Sequence, residues 1–365
     1  MEVMRAAEAL ERSGTPVLHL EVGQPSTPAP SGVLAAATSA LGLDKLGYTG
    51  AAGLPELRQR IAQWYEDYYQ LTVTKERIVV TTGASGSCVL TFLALFDPGQ
   101  RVAVLEPGYP CYRNDLLAFG IDVVTIPVGP ETSFRPTVAQ LEAAGQLDGL
   151  VIASPSNPTG TVLDDSQLAE LMTWTSAEGV QLIADEIYHG ITYDQSAPTA
   201  LRHDPDVVVI NSFSKFFSMT GWRLGWVVAN PEVAEAVERL AQSLTVAPPT
   251  LSQIGGIAAF DCIDELNQNV ARYEQNRRIL LDGLSSAGID RLAPADGAFY
   301  VWADVAHLCD DSQDLCQHWL DELAVATTPG LDFDQPRGHQ FVRFSYAGAP
   351  DDLTRAMDRI GAWTP

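Results

Sequence analysis

Only three lysines occur in the chain, Lys45, Lys75 and Lys215, and the last stands in the run NSFSKFFSMTGWRLGW, after an apolar stretch and among Phe213, Phe216 and Phe217. Burial penalises the ammonium form, so a lysine in such surroundings loses proton affinity and becomes a usable nucleophile. Taken alone, a lysine of this kind is more often a surface residue whose stem snorkels over apolar neighbours. A second run, VQLIADEIY, ends in Asp185, Glu186 and Tyr188. It puts a carboxylate at the carboxyl end of a strand, where open α/β sheets bind their ligands. An unpaired buried charge costs about 3–5 kcal/mol. Asp185 therefore asks for a partner, which a helix N-terminus, a metal ion or a protonated pyridine nitrogen would each supply.

Other turns carry further polar groups. SPSNPTG, from Ser154 to Gly160, holds Asn157, although turn chemistry alone explains an Asn-Pro-Thr-Gly run. TTGASGS, from Thr81 to Ser87, is a strand-to-helix turn with Ala84 and Ser85 at its head, and its free backbone N–H groups suit a phosphate. It matches neither GxGxxG nor GxxxxGK[ST], which argues against dinucleotides and nucleoside triphosphates. Arg223 offers a planar fork for an anion or an ordinary surface ion pair. On their own, Arg343 in FVRFSYA reads as an edge charge of a late strand and Tyr109 in EPGYPCY as core packing beside a turn.

These residues need a frame. Apolar runs of strand length begin at Ile78, Arg101, Ile121, Gly149, Val180, Asp206 and Leu224. Their Val and Ile content without polar alternation predicts strands covered on both faces, in a helix-flanked, mostly parallel seven-stranded sheet. Leu168 to Glu178 and Pro231 to Leu244 read as helices of that layer. After Pro248 and Pro249 the pattern becomes one long helical region to about Leu284, then short strands near Ala298 to Trp302, Ala324 to Thr328 and Phe341 to Ser345. The expectation is an α/β fold with a large domain over 45–247 and a smaller α+β domain assembled from 1–44 and 248–365.

Bulk properties remove several function classes. A net charge of −24 with no basic block is unsuited to holding phosphate backbones, so no nucleic-acid partner is expected. The cysteines Cys88, Cys111, Cys262, Cys309 and Cys316 are scattered without a CxxC pair, which indicates neither a disulfide framework nor a metal site. Val3, Ala6, Ala7 and Leu10 recur at helical spacing between charges, unlike a signal peptide, and no apolar run reaches membrane-spanning length. A cytoplasmic protein with no membrane partner is the simplest expectation.

Taken in order, ADEIY, SFSKFFSMTGWRLGW, SPSNPTG and TTGASGS resemble the class I/II aminotransferases of fold-type I pyridoxal 5′-phosphate (PLP) enzymes, the aspartate aminotransferase-like family, across essentially the whole chain. The resemblance implies PLP held as a Schiff base on Lys215, which also moves the substrate proton, with Asp185 keeping the pyridine nitrogen protonated. It implies that Asn157 and Tyr188 bond the ring oxygen O3′ and that Tyr109 stacks on the ring. Ala84, Ser85, Ser212 and Arg223 would take the phosphate, with Tyr48 crossing from the other subunit of a homodimer. Arg343 would grip the substrate α-carboxylate, beside Gly23 and Asn157. The implied reaction is ping-pong exchange of an amino group between an amino acid and a 2-oxo acid. A β-lyase of the same fold shares nearly every cofactor contact, and a non-catalytic PLP-binding regulatory module is the third reading. Two departures stand out. Relatives usually carry a short arm before the first helix, where this chain begins almost at that helix. Aspartate-specific members place a second arginine before a Pro-Pro pair, whereas AQSLTVAPP has none.

Overall fold

The computed structural model describes residues 2–43 and 45–363. Its strands are β1 (Leu18–His19), β2 (Ile78–Thr81), β3 (Arg101–Glu106), β4 (Asp122–Pro127), β5 (Gly149–Ala153), β6 (Gln181–Asp185), β7 (Val208–Ser212), β8 (Gly225–Val228), β9 (Tyr300–Asp304), β10 (Val325–Ala326), β11 (Thr328–Pro329) and β12 (Phe341–Ser345). The seven from β2 to β8 make one sheet in the order β2-β8-β7-β6-β5-β3-β4. Neighbours from β7 through β6, β5 and β3 to β4 are parallel, and β8 runs antiparallel to both β7 and β2. Residues 213–224, which join β7 to β8, form no α-helix but a 3-10 turn at Thr220–Trp222, and the chain turns back on itself. That short return is the segment that carries Lys215.

Strands β2, β7 and β8 are buried along their whole length, as Val- and Ile-rich strands covered on both faces should be. The edge strand β4 departs from the expectation: Asp122, Thr125 and Pro127 are exposed, whereas the opposite edge strand β2 stays buried under helices Pro55–Tyr69 and Pro231–Leu244. Capping fixes the flanking helices where the sequence offers it. Asp164 and Gln167 form a reciprocal capping box for helix Asp165–Glu178, and Asn230 caps helix Pro231–Leu244.

The long helical region predicted after Pro249 is two helices, Thr250–Ala259 and Ile263–Ser286. The second starts with Asp264 and Glu265 in its first turn, acidic residues that favour a new helix N-terminus. Beyond it, β11, β12 and β9 form an antiparallel sheet, with Arg343 opposite Trp302 and Ser345 opposite Tyr300. Strand β1 pairs in parallel with β10, Leu18 against Val325, which ties the start of the chain to its last third. Among the described residues no helix is long and apolar enough to cross a membrane.

Candidate active site

The carboxyl ends of β2, β3, β5, β6 and β7 all point the same way, and the neighbours β3 and β5 send their onward connections to opposite sides, to β4 and to β6. A parallel sheet opens a crevice at such a switch point. Here the crevice is a cavity of about 820 Å³ lined by Gly23, Ala84, Ser85, Tyr109, Asn157, Asp185, Tyr188, Lys215 and Arg343 among others. Nine of the twelve residues singled out in the sequence thus share one wall. Ser212, Arg223 and Tyr48 do not line it.

Asp185 is the last residue of β6 and is buried; its Oδ2 accepts from the Tyr112 hydroxyl at 2.5 Å and its Oδ1 from the Ile187 N–H at 3.0 Å. Burial pushes its pKa up to about 6, against the pull of those two donors and of Lys215. It is ionised at neutral pH, with only neutral hydrogen-bond partners.

Lys215 is half-buried, donates to the Gly23 carbonyl at 2.6 Å, and holds its ammonium 5.8 Å from the ring centres of both Tyr188 and Phe299. Burial, then the charges of Arg343 and Arg223, lower its pKa to about 8. The ammonium form still predominates at pH 7, with about a tenth of the amine neutral.

Arg343 is buried on β12 between two rings, 4.4 Å from the centre of Tyr300 and 4.7 Å from that of Phe333. Its Nη1 donates to Asn157 Oδ1 at 2.9 Å and its Nη2 to the Glu21 carbonyl at 2.6 Å, while Nε has no partner. All its partners are neutral, so the guanidinium charge is uncompensated. Holding Asn157 by its oxygen leaves that side chain's N–H donors free.

Helix Gly83–Leu95 begins at the end of β2, and Thr82 makes no side-chain cap, so the first N–H groups lack intrahelical partners. Gly83 has φ +83°, and a Cβ on it would sit 2.8 Å from Arg223 Nη2; glycine is needed both for the turn and for the approach of that guanidinium. Ser85 is exposed at this end and Ala84 is buried. Ser212 lies beneath, its hydroxyl donating to Ser214 Oγ or the Leu224 carbonyl, so it shapes the turn before Lys215. Tyr109 starts helix Pro110–Ala118, its ring set edge-on to Tyr112 at 5.4 Å. Tyr48 is 89% exposed and stands away from the cavity of its own chain.

Residues 15–360 match the family model for aminotransferase class I and II. The chain belongs to that family. It is 48% identical to a valine–pyruvate aminotransferase of Mycobacterium tuberculosis, over all of this chain and 95% of the relative. An aspartate/prephenate aminotransferase of Thermus thermophilus is 33% identical over 97% of this chain and 93% of its own length. Among solved structures, an aminotransferase from M. tuberculosis superposes with a TM-score of 0.97 at 48% identity, covering 100% and 95% of the two chains. The aspartate aminotransferase of T. thermophilus with maleate gives 0.93 at 31% identity, covering 99% and 95%. The activity is transamination, in a family that works with PLP. Of the readings open from the sequence, elimination and regulation by a catalytically silent fold therefore give way to this one.

Two residues of the cavity lining escape a reading of the sequence. Tyr112 follows Tyr109 by one helical turn and reaches Asp185; Tyr300, in a strand near the C-terminus, meets the Tyr188 hydroxyl at 2.8 Å. The aromatic pair in EPGYPCY was a usable signal for the first. Nothing local marks the second. Gly23 also acquires a reason: a Cβ there would fall 1.7 Å from the Tyr300 hydroxyl oxygen.

Proposed function

We propose that this cavity takes PLP and that its residues divide between holding the cofactor and aligning an amino acid against it. The carrying observation is that Lys215, Asp185 and Arg343 line one cavity. Three features of the site each lack something different. Asp185 is a buried carboxylate with only neutral donors, the helix beginning at Gly83 has uncapped N–H groups beside Arg223, and Arg343 has a buried N–H without an acceptor. A ring cation, a phosphate and a carboxylate are the groups that fit these three needs.

When bound, PLP supplies an electron sink for the charge left on the amino acid's Cα. Asp185 holds the ring nitrogen in its protonated form. Lys215 would hold the cofactor, and its amine in the neutral form would take and return the Cα proton. Ala84, Ser85 and Arg223 bind the phosphate, with Ser212 setting the turn beneath. Asn157 and Tyr188 would donate to the ring oxygen, and Tyr109 would pack against the ring. Arg343 takes the α-carboxylate in bidentate fashion, next to Gly23 and Asn157, which fixes the direction of the Cα–H bond. Tyr48, exposed here, reaches the neighbouring site in a homodimer. The sheets suggest that residues 45–247 form the large domain and the remainder the small one. The free cysteines suit a reducing cytoplasm.

Lys215→Ala tests the reading. The visible absorbance band of the PLP-loaded protein should disappear, and half-transamination of a panel of acidic, aromatic and aliphatic amino acids should fall at least about a thousandfold. Retention of both would end it.

A further inference from the structure

Tyr300 touches three parts of the site at once. It opens β9 opposite Ser345, two residues along from the Trp302 and Arg343 pair, so the register sets it diagonally across from Arg343 on the same face of the sheet. Its ring lies 4.4 Å from the Arg343 guanidinium carbon, and its hydroxyl oxygen is 2.8 Å from that of Tyr188, the two rings meeting at 81°. Its hydroxyl also packs so closely on Gly23 that no side chain fits there, and the Gly23 carbonyl holds the Lys215 ammonium at 2.6 Å. Tyr300 lines the cavity and is 1% exposed.

We propose that Tyr300 is a positioning residue of the transamination site, its hydroxyl directing the Tyr188 proton into the cavity while its ring holds Arg343 in the plane that receives the substrate carboxylate. This rests on the roles given above to Tyr188 and Arg343. A hydroxyl pair shares one hydrogen bond, so if Tyr300 donates to Tyr188, the Tyr188 proton is left to point elsewhere, and a donor that also accepts is polarised into a stronger one. A cation on an aromatic face is held electrostatically without using its N–H groups, so the ring orients Arg343 and leaves its donors to the carboxylate. Phe333 closes the other side of the guanidinium at 4.7 Å. The charged and titratable groups facing Tyr188 are Tyr300, Arg343, Tyr109 and Lys215. Among the described residues, Tyr300 alone bonds its hydroxyl directly.

The two parts of Tyr300 separate by mutation of the holoenzyme. Tyr300→Phe removes only the hydroxyl. The pH midpoint of the PLP absorbance band, titrated without substrate, should move up by about half a unit or more, since a weaker Tyr188 donor stabilises the deprotonated cofactor less. In the same variant kcat should fall about tenfold with KM for the amino donor within about twofold. Tyr300→Leu removes the ring as well, and KM should rise about tenfold. A Tyr300→Phe holoenzyme that only melts lower, with the parent's titration midpoint and kcat, would overturn the proposal by showing a purely structural role; this variant decides alone if Tyr300→Leu does not fold. A parent protein without a Lys215-dependent band would instead bring down the site reading itself, and this inference with it.

Discussion

Asp185 and Glu186 are adjacent, both buried and both carboxylates, yet they serve different regions of the molecule. Strand alternation sends their side chains to opposite sides of the end of β6. Asp185 enters the cavity and takes its hydrogen bonds from Tyr112 and Ile187; Glu186 faces the packed side, where its Oε1 accepts from the Thr199 hydroxyl at 2.9 Å and the Ala200 N–H at 2.8 Å. Behind Glu186 lie His189, with Nδ1 3.4 Å from its Oε2, and Tyr69, whose hydroxyl is 2.6 Å from that same Nδ1. Burial raises Asp185 to about 6 and Glu186 to about 8, and lowers His189 to about 3. The closed side is therefore nearly free of charge at neutral pH, and the open side keeps its negative charge for a ligand. Perturbed titration alone would mark both carboxylates; only access to the cavity separates them.

The contrast is broken most severely by Asp185→Asn. Without a carboxylate the site loses its partner for a ring cation, and the rate of half-transamination should drop by about two to three orders of magnitude, in line with the cost of an unpaired buried charge. A single-turnover measurement of the absorbance change checks this. A variant within threefold of the parent would remove Asp185 from the chemistry. Tyr112→Phe should do less. It deletes a charge-assisted hydrogen bond worth about 1.5–3 kcal/mol while the Ile187 N–H remains, so the dissociation constant for PLP, read by titrating the apoprotein, should rise about tenfold or more. An unchanged constant would mean that Tyr112 only fills space.

The uneven legibility of the site has a physical origin. Lys215, Asp185, Asn157 and Ser85 follow strand-length apolar runs, and in an open parallel sheet the positions after strands are where ligands bind, so local pattern and cavity lining coincide. Tyr112 and Tyr300 act across helix-to-strand and strand-to-turn contacts, and an aromatic residue in an apolar pattern reads as core. Ser212 stands outside the cavity lining, where its hydroxyl bonds Ser214 and the Leu224 carbonyl. In the fold, the exposure of β4 and the break between Ala259 and Ile263 were hidden for a related reason. Helix cover over an edge strand and the path of a helix through the core are set by neighbours distant in sequence.

Glu186→Gln sharpens the comparison with the smallest effect on activity and a distinct one on stability. The group faces no cavity and is largely protonated at neutral pH, so a neutral amide should leave the half-reaction within about twofold of the parent. Stability is another matter. With its folded pKa raised from 4.5 to about 8, Glu186 holds a proton between those values that the unfolded chain releases, so its contribution to the unfolding free energy falls as pH rises through that window. His189, lowered from 6.5 to about 3, works in the opposite direction below 6.5, which leaves pH 6.5 to 8 as the interval where Glu186 acts unopposed by it. Denaturant melts of the apoprotein at those two pH values should show the variant gaining on the parent by about 1–2 kcal/mol at the higher pH. Parallel losses in both proteins would show that Glu186 is already ionised, and the division between a neutral rear face and a charged front face of β6 would fail.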